Sequence, residues 1–303
     1  MGSDTDVVTG SFSYTGQYIT RRLLAAGRQV RTLTGHPRPS HSLASQVTAF
    51  PYDFEHPDLL AESLSGADTL YNTYWVRFPH GDLNYDAAVR NLQILIHAAV
   101  RAGIRKIVHI SIINPSEDSP FAYFRGKAQV ERAVRESGLA HTILRPTVVF
   151  GPEDILINNI AWMVRTFPIF MMPGSGNYRI QPIYVEDLAG IAVAAGPSAE
   201  SEVLDAAGPE IFTYRGLVER IAQETGRRVL LTETPAALVY GLGTMLGWLL
   251  HDVVLTYEEI IALKDGILYS VLPPIGTTRL SEWLCSHKDR LGREYRSEIK
   301  RHF

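Results

Sequence analysis

Val7-Val8-Thr9-Gly10-Ser11-Phe12-Ser13-Tyr14-Thr15-Gly16 is the stretch that decides the fold. Asp6–Thr9 reads as a short buried strand, and a helical pattern runs over Gly16–Ala26. A glycine-rich turn gains meaning from that setting, after a strand and before a helix. Gly10 suits the backbone angles of a tight turn. Gly16 lets the helix pack closely on the strand, and the helix N-terminus offers unpaired N–H groups to a pyrophosphate. Ser13 stands where the usual spacing has its middle glycine. Phe12, Ser13, Tyr14 and Thr15 complete the candidate phosphate loop.

Outward from this turn, short apolar runs alternate with helical patterns. Strands are expected at Gln29–Thr34, Thr69–Asn72, Lys106–Ser111 and His141–Val149. Helices are expected at Leu59–Ser65, Leu83–Ala102 and Phe121–Ser137. Such alternation predicts a parallel sheet covered on both faces. The expectation is an α/β protein, a Rossmann-type doubly wound sheet, with a dinucleotide-binding core over residues 1–152. Residues 153–303 read as a smaller, mostly helical substrate region intertwined with the core. There the patterns are a helix at Ile155–Thr166, a Pro/Gly-rich turn at Pro168–Gly176, a strand at Ile180–Tyr184 and helices at Val185–Ala195 and Phe212–Thr225. From Thr232 onward the reading is helical, broken at Pro273-Pro274.

Bulk properties narrow the function classes. A chain of 303 residues buries a sizeable core unaided. The net charge of −3 supplies no basic field for nucleic acid. Cys285 is the single cysteine, so a disulfide framework and a cysteine metal site are excluded. The histidines show no helical metal-ligand spacing, and no metal is expected. The polar opening Met1–Asp6 lacks signal-peptide character, which points to a cytoplasmic protein.

The end of the second strand bears on cofactor choice. A carboxylate there takes the ribose hydroxyls of NAD. This chain has Leu33-Thr34-Gly35-His36-Pro37-Arg38, with no acid. His36 and Arg38 can meet a 2′-phosphate, so NADP is the preferred reading and NAD the alternative. Asp53-Phe54 follows the third short strand. Asp53 has two readings, an acceptor for the adenine amino group or a turn-capping carboxylate.

A second cluster carries proton chemistry. Tyr123 and Lys127 are one helical turn apart on one face. An ammonium near a phenol favours the phenolate and lowers its pKa. Ser111, at the end of a strand, can hydrogen-bond a substrate oxygen.

The whole set resembles the short-chain dehydrogenase/reductase superfamily in its extended, epimerase-like branch. The residues that carry the likeness are Thr9-Gly10 with Gly16, Ser111, Tyr123 with Lys127, Leu144-Arg145-Pro146, Phe150-Gly151-Pro152 and Gln181 to Asp187. The chain is also similar to NmrA-like and complex I accessory-subunit-like members. The resemblance implies a catalytic triad of Ser111, Tyr123 and Lys127. It further implies that Asn72, Thr73 and Tyr74 lie along the cofactor and that Pro146, Thr147 and Val148 border the nicotinamide. The expected activity is hydride transfer to or from a moderately apolar carbonyl or alcohol. The alternatives are an epimerase or dehydratase without net redox change, and a cofactor-binding sensor or assembly protein. Tyr74 and Trp75 replace the small residues usual there, which narrows the pocket or makes it aromatic.

The substrate side offers Asn158, Asn159, Arg165 and Arg179 and is otherwise apolar over Trp162-Met163-Val164 and Phe167 to Pro173, which favours an apolar small molecule over a nucleotide sugar if it lines a pocket. Val239–Leu250 reads first as a helix docked on the core, and second as a lid or a helix in peripheral contact with a membrane. It is too short for a standard transmembrane segment. The long helices at Leu83–Ala102 and Phe121–Ser137 are candidates for homodimer pairing.

Overall fold

The computed structural model describes residues 4–79, 81 and 83–302; Met1–Ser3 and Phe303, at the two ends of the sequence read above, lie outside them. In chain order the elements are β1 (Thr5–Thr9), α1 (Tyr14–Ala25), β2 (Gln29–Thr34), β3 (Thr48–Pro51), α2 (Pro57–Leu64), β4 (Thr69–Asn72), α3 (Tyr85–Arg101), β5 (Lys106–Ile110), α4 (Ala122–Glu136) and β6 (Ala140–Pro146). There follow β7 (Val148–Phe150), α5 (Leu156–Thr166), β8 (Ile169–Pro173), β9 (Arg179–Ile180), β10 (Pro182–Tyr184), α6 (Val185–Ala195) and β11 (Glu202–Ala206). The chain ends with β12 (Phe212–Thr213), α7 (Tyr214–Glu224), β13 (Leu230–Thr234), α8 (Ala236–Leu250), α9 (Tyr257–Lys264), α10 (Leu280–His287) and α11 (Glu298–His302).

Seven strands form one sheet in the order β11-β6-β5-β4-β1-β2-β3. The pairs from β3 through β6 are all parallel. This is the doubly wound Rossmann arrangement expected from the sequence. The strand order reverses between β1 and β4, and in such sheets ligands bind at the carboxyl ends of the strands beside that reversal. The carboxyl ends of β1, β4 and β5 carry Thr9, Asn72 and Ile110. Val7, Leu33, Leu70, Ile107 and Ile143 are fully buried in the sheet, as strands covered on both faces require.

By its contacts the chain divides into two compact units. The first comprises Met1–Pro146 and Leu188–Leu204, the second Thr147–Asp187 and Asp205–Phe303. The second has its own core, with Phe150, Ile157, Met172, Leu217 and Leu284 fully buried or nearly so.

Several expectations change. The strand foreseen at His141–Val149 is two strands, split at Thr147, and β7 pairs with β10. Pro168–Gly176, expected as a turn, holds β8, which pairs in parallel with β13. The alternation of exposed Ile169 and Met171 with buried Phe170 and Met172 is a strand period that the bounding prolines obscured. The helical reading from Thr232 gives way to β13 before α8 begins. β11 was not foreseen, because Glu202-Val203-Leu204-Asp205-Ala206 lacks a dense apolar run.

Candidate active site

The turn after β1 is built around two glycines. Gly10 has φ +71°, a conformation that favours glycine. A Cβ on Gly16 would lie 2.1 Å from the Gly10 carbonyl oxygen, so only glycine lets α1 approach the end of β1 this closely. The loop amides are held: Gly10 N–H donates to Leu33 O, Ser11 N–H to Thr32 Oγ1 and Ser13 N–H to Gly10 O. Ser13, the N-cap of α1, makes no side-chain capping bond. The first-turn amides of a helix have no intrahelical acceptors, and here no cap from Ser13 takes them. Ser13, Tyr14 and Thr15 are exposed or half-buried, whereas Phe12 is buried. A tight glycine contact and an uncapped helix start at the point of strand reversal fit a pyrophosphate.

Cations gather beside Phe12. Its ring lies 5.3 Å from that of His41. Burial first, then the charges of Arg21 and Arg38, hold the His41 pKa below its ordinary value. His36 and Arg38 are exposed, and His36 N–H donates to Thr34 Oγ1. Arg21 and His41 thus lie near Arg38. They escaped notice because one sits on α1 and the other lies beyond the strand end.

Asp53 accepts hydrogen bonds from the His56 backbone N–H at 3.0 Å and lies 2.9 Å from its Nδ1. This is the turn-capping role, just before α2. Phe54 stacks on Tyr52 with centroids 5.4 Å apart, and both meet Tyr74 at 5.5 and 5.0 Å. Tyr74 also accepts from Asn91 Nδ2 at 2.9 Å.

The end of β4 is tied to its neighbours. Asn72 is buried; its Oδ1 accepts from Thr9 Oγ1 and its Nδ2 donates to His109 Nδ1 at 2.9 Å. Thr9 Oγ1 accepts from the backbone N–H groups of Thr73 and Tyr74, and Thr73 Oγ1 donates to Thr9 O. The Asn72 side chain thus binds β1, β4 and β5 together. His109 is fully buried, and its Nε2 has no hydrogen-bond partner. Burial, and secondarily Lys127, push its pKa well down, so the imidazole is neutral.

Tyr123 and Lys127 both lie on α4, but their surroundings differ. Tyr123 is half-buried, with its ring edge-on to Trp75 and Tyr85, each at 5.7 Å. Lys127 is 3% exposed; its Nζ donates to Ile110 O at 3.0 Å and lies 4.6 Å over the Trp75 ring. Burial lowers its pKa to about 7 against the opposing pull of Glu131. Trp75 therefore touches both members of the pair. It reaches α4 because residue 126 is glycine: a Cβ there would stand 2.9 Å from the Trp75 ring.

Ser111 donates to Glu131 Oε1 at 2.6 Å. Glu131 is fully buried and also takes Arg145 in a two-pronged bond, at 3.0 Å from Nε and 2.6 Å from a terminal nitrogen. Arg135 reaches it at 3.3 Å. Glu131 is the main residue outside the sequence motifs, whereas Arg145 stands in the Leu144-Arg145-Pro146 motif without this pairing being foreseen. Glu131 is four residues beyond Lys127 on the same helix, a spacing that could have flagged it. Pro146 closes β6 and accepts from Ile113 N–H. Thr147 and Val148 belong to the second unit, where Thr147 Oγ1 donates to Gln181 O and Val148 pairs with Pro182.

Residues 10–154 match the family described as NAD(P)H-binding. Over that stretch the chain is similar to NAD(P)H-binding proteins. Its relatives agree with the likeness to complex I accessory subunits. NADH dehydrogenase (ubiquinone) 1 alpha subcomplex subunit 9 from Arabidopsis thaliana is 26% identical over 223 residues, 70% of this chain and 56% of that protein. Its counterpart from Dictyostelium discoideum is 28% identical over 233 residues, 73% of this chain and 64% of that protein. The chain thus spans less than two thirds of the length of either relative. Among solved structures, triphenylmethane reductase of Citrobacter sp., complexed with NADP(H), superposes with a TM-score of 0.77. The match covers 94% of this chain and 99% of the reductase at 16% identity, a likeness of fold.

Proposed function

We propose that the first unit binds NADP(H) and transfers hydride to or from a moderately apolar carbonyl or alcohol, with Tyr123 as the proton carrier. The observation that carries this reading is the set of residues at the strand reversal. The Gly10–Gly16 contact, the uncapped start of α1, and Ser111, Tyr123 and Lys127 all belong to one unit. The backbone of the Gly10–Gly16 turn would hold the pyrophosphate, and Arg21, Arg38 and His41 would receive the 2′-phosphate. Bound, the nicotinamide would supply the hydride.

The protein's own groups do the rest. Lys127, with a pKa near neutrality, holds or releases a proton in the working pH range, as an acid–base group should. Tyr123 passes the proton to or from the substrate oxygen. Ser111 directs its hydroxyl hydrogen to Glu131 Oε1, so its oxygen can accept from a substrate hydroxyl. Trp75, Tyr85 and Tyr123 surround this region with aromatic rings, which suits an apolar substrate. The structurally similar triphenylmethane reductase of Citrobacter sp. acts on triphenylmethane dyes.

Nicotinamide oxidation in the presence of quinones, aryl ketones and triphenylmethane dyes tests the proposal. With a substrate found, Tyr123→Phe should lower kcat by roughly a hundredfold or more while leaving NADPH affinity unchanged. Intact turnover in that variant would remove Tyr123 from the mechanism.

A second reading, a nucleotide-binding subunit without turnover, is favoured by one observation. Ser111 and Lys127 are both satisfied by protein acceptors, and Trp75 lies against Lys127. The named relatives of Arabidopsis thaliana and Dictyostelium discoideum are subunits of a larger assembly. Nucleotide binding with no oxidation across the whole panel would select this reading.

A further inference from the structure

The helix α8 has no polar side to turn to solvent. Its sequence, Ala-Ala-Leu-Val-Tyr-Gly-Leu-Gly-Thr-Met-Leu-Gly-Trp-Leu-Leu, contains no charged residue. A surface helix ordinarily buries one apolar stripe and shows water a charged face. One side of α8 packs beside α9 and β8. Gly247 allows this: a Cβ there would lie 2.5 Å from Asp252 O, where the chain folds back under the helix. The other side is also apolar, and it is bare. Leu238, Met245, Trp248 and Leu249 are 52, 63, 82 and 69% exposed. Their spacing of three, four and seven residues places them along one side. Alongside, the paired residues Leu230 and Ile169 of β13 and β8 are 61 and 47% exposed. An exposed apolar surface of this extent marks an interaction site.

The charge beside it indicates what covers it. Arg227 and Arg228 immediately precede β13, are exposed, and make no ion pair among the described residues. Arg165, at the end of α5, is held below its ordinary pKa by burial and by the nearby charges of Arg293 and Arg227, against Asp289. Positive charge therefore accumulates where the apolar strands begin. On the bare side Trp248 supplies an amphipathic ring of the kind that favours a lipid interface. At about 1.5 Å per residue, α8 is about 22 Å long. That is too short to cross a hydrocarbon core of about 30 Å. Among the described residues no helix is long and apolar enough to cross a membrane. An uncharged stripe with a bulky aromatic and a basic border is the pattern of a helix lying in a membrane surface.

We propose that the second unit seats on an anionic lipid bilayer through the outer side of α8, with Arg227 and Arg228 against the headgroups. Flotation of the full chain with vesicles tests this. One set is phosphatidylcholine alone and the other an equal mixture of phosphatidylcholine and phosphatidylglycerol. The chain should float with the anionic vesicles, and less as salt rises. The double substitution Met245→Glu, Trp248→Glu should cut partitioning roughly tenfold or more with an unchanged thermal melt, since both side chains are exposed. Arg227→Gln and Arg228→Gln should each weaken anionic binding about fivefold and leave the behaviour with phosphatidylcholine unchanged. Failure to float with either vesicle overturns the proposal. So does flotation that survives the double substitution. A monomer–dimer equilibrium abolished by that substitution, without flotation of the native chain, would assign the surface to a second copy instead.

Discussion

The two ends of the nucleotide unit are built in opposite ways. At the phosphate end the loop amides are braced within the protein, while the first amides of α1 lack a side-chain cap. At the chemical end Ser111 is bonded to Glu131, Lys127 to Ile110 O, and Asn72 to Thr9 and His109. Nucleotide binding needs a rigid frame with free donors. Proton transfer needs groups that can change partner. The braced turn after β1 supplies such a frame. The second requirement depends on how readily Glu131 and Trp75 yield Ser111 and Lys127.

The largest expected effect comes from the brace at the chemical end. Glu131→Ala removes the two-pronged bond to Arg145 and the acceptor of Ser111 and should cost about 3 kcal/mol or more in urea unfolding. A loss within experimental error would show that Arg145 finds water instead and that the brace is incidental.

Lys127 offers a test by pH. Its folded pKa of about 7 lies below the ordinary value of 10.5. Between these values the unfolded chain binds a proton that the folded chain does not, so this group makes stability rise with pH. The full penalty is present below about 7 and disappears above the unfolded value. Its size is on the order of a few kcal/mol. Urea denaturation at neutral pH and at about pH 9 should show a rise that Lys127→Met flattens. An equal slope in both proteins would mean that Lys127 is not held near neutrality.

At the phosphate end, Gly16→Val should cost about 1–3 kcal/mol of stability by overpacking and abolish measurable NADPH binding. Retained binding would place the nucleotide elsewhere. The smallest effect is expected at Arg38, where Arg38→Glu should reduce the preference for NADPH over NADH about tenfold, roughly 1.4 kcal/mol. An unchanged preference would shift the 2′-phosphate contact to Arg21 and His41.

Local signals explain which features were legible in the sequence. The β1–α1 turn could be read because two glycines, a strand and a helix follow one another within a few residues. The strand–helix rhythm foretold the sheet as far as β6, since strands buried on both faces read as continuous apolar runs. The break at Thr147 was invisible because Val148-Val149-Phe150 prolongs the apolar run after β6. β8 was hidden by its flanking prolines. At the site, Ser111, Tyr123 and Lys127 follow a sequence pattern, but their partners do not. That Glu131 would meet Arg145 and Ser111, and that Trp75 would lie on Gly126, are consequences of three-dimensional packing. The bare side of α8 was likewise undecidable, because its two sides are equally apolar.

The most direct test is a fluorescence titration of the purified chain with NADPH and NADH. Saturable binding of NADPH, about tenfold tighter than NADH and absent in Gly16→Val, is the predicted result. No binding of either nucleotide, or NADH bound as tightly as NADPH with Gly16→Val unaffected, would contradict the account.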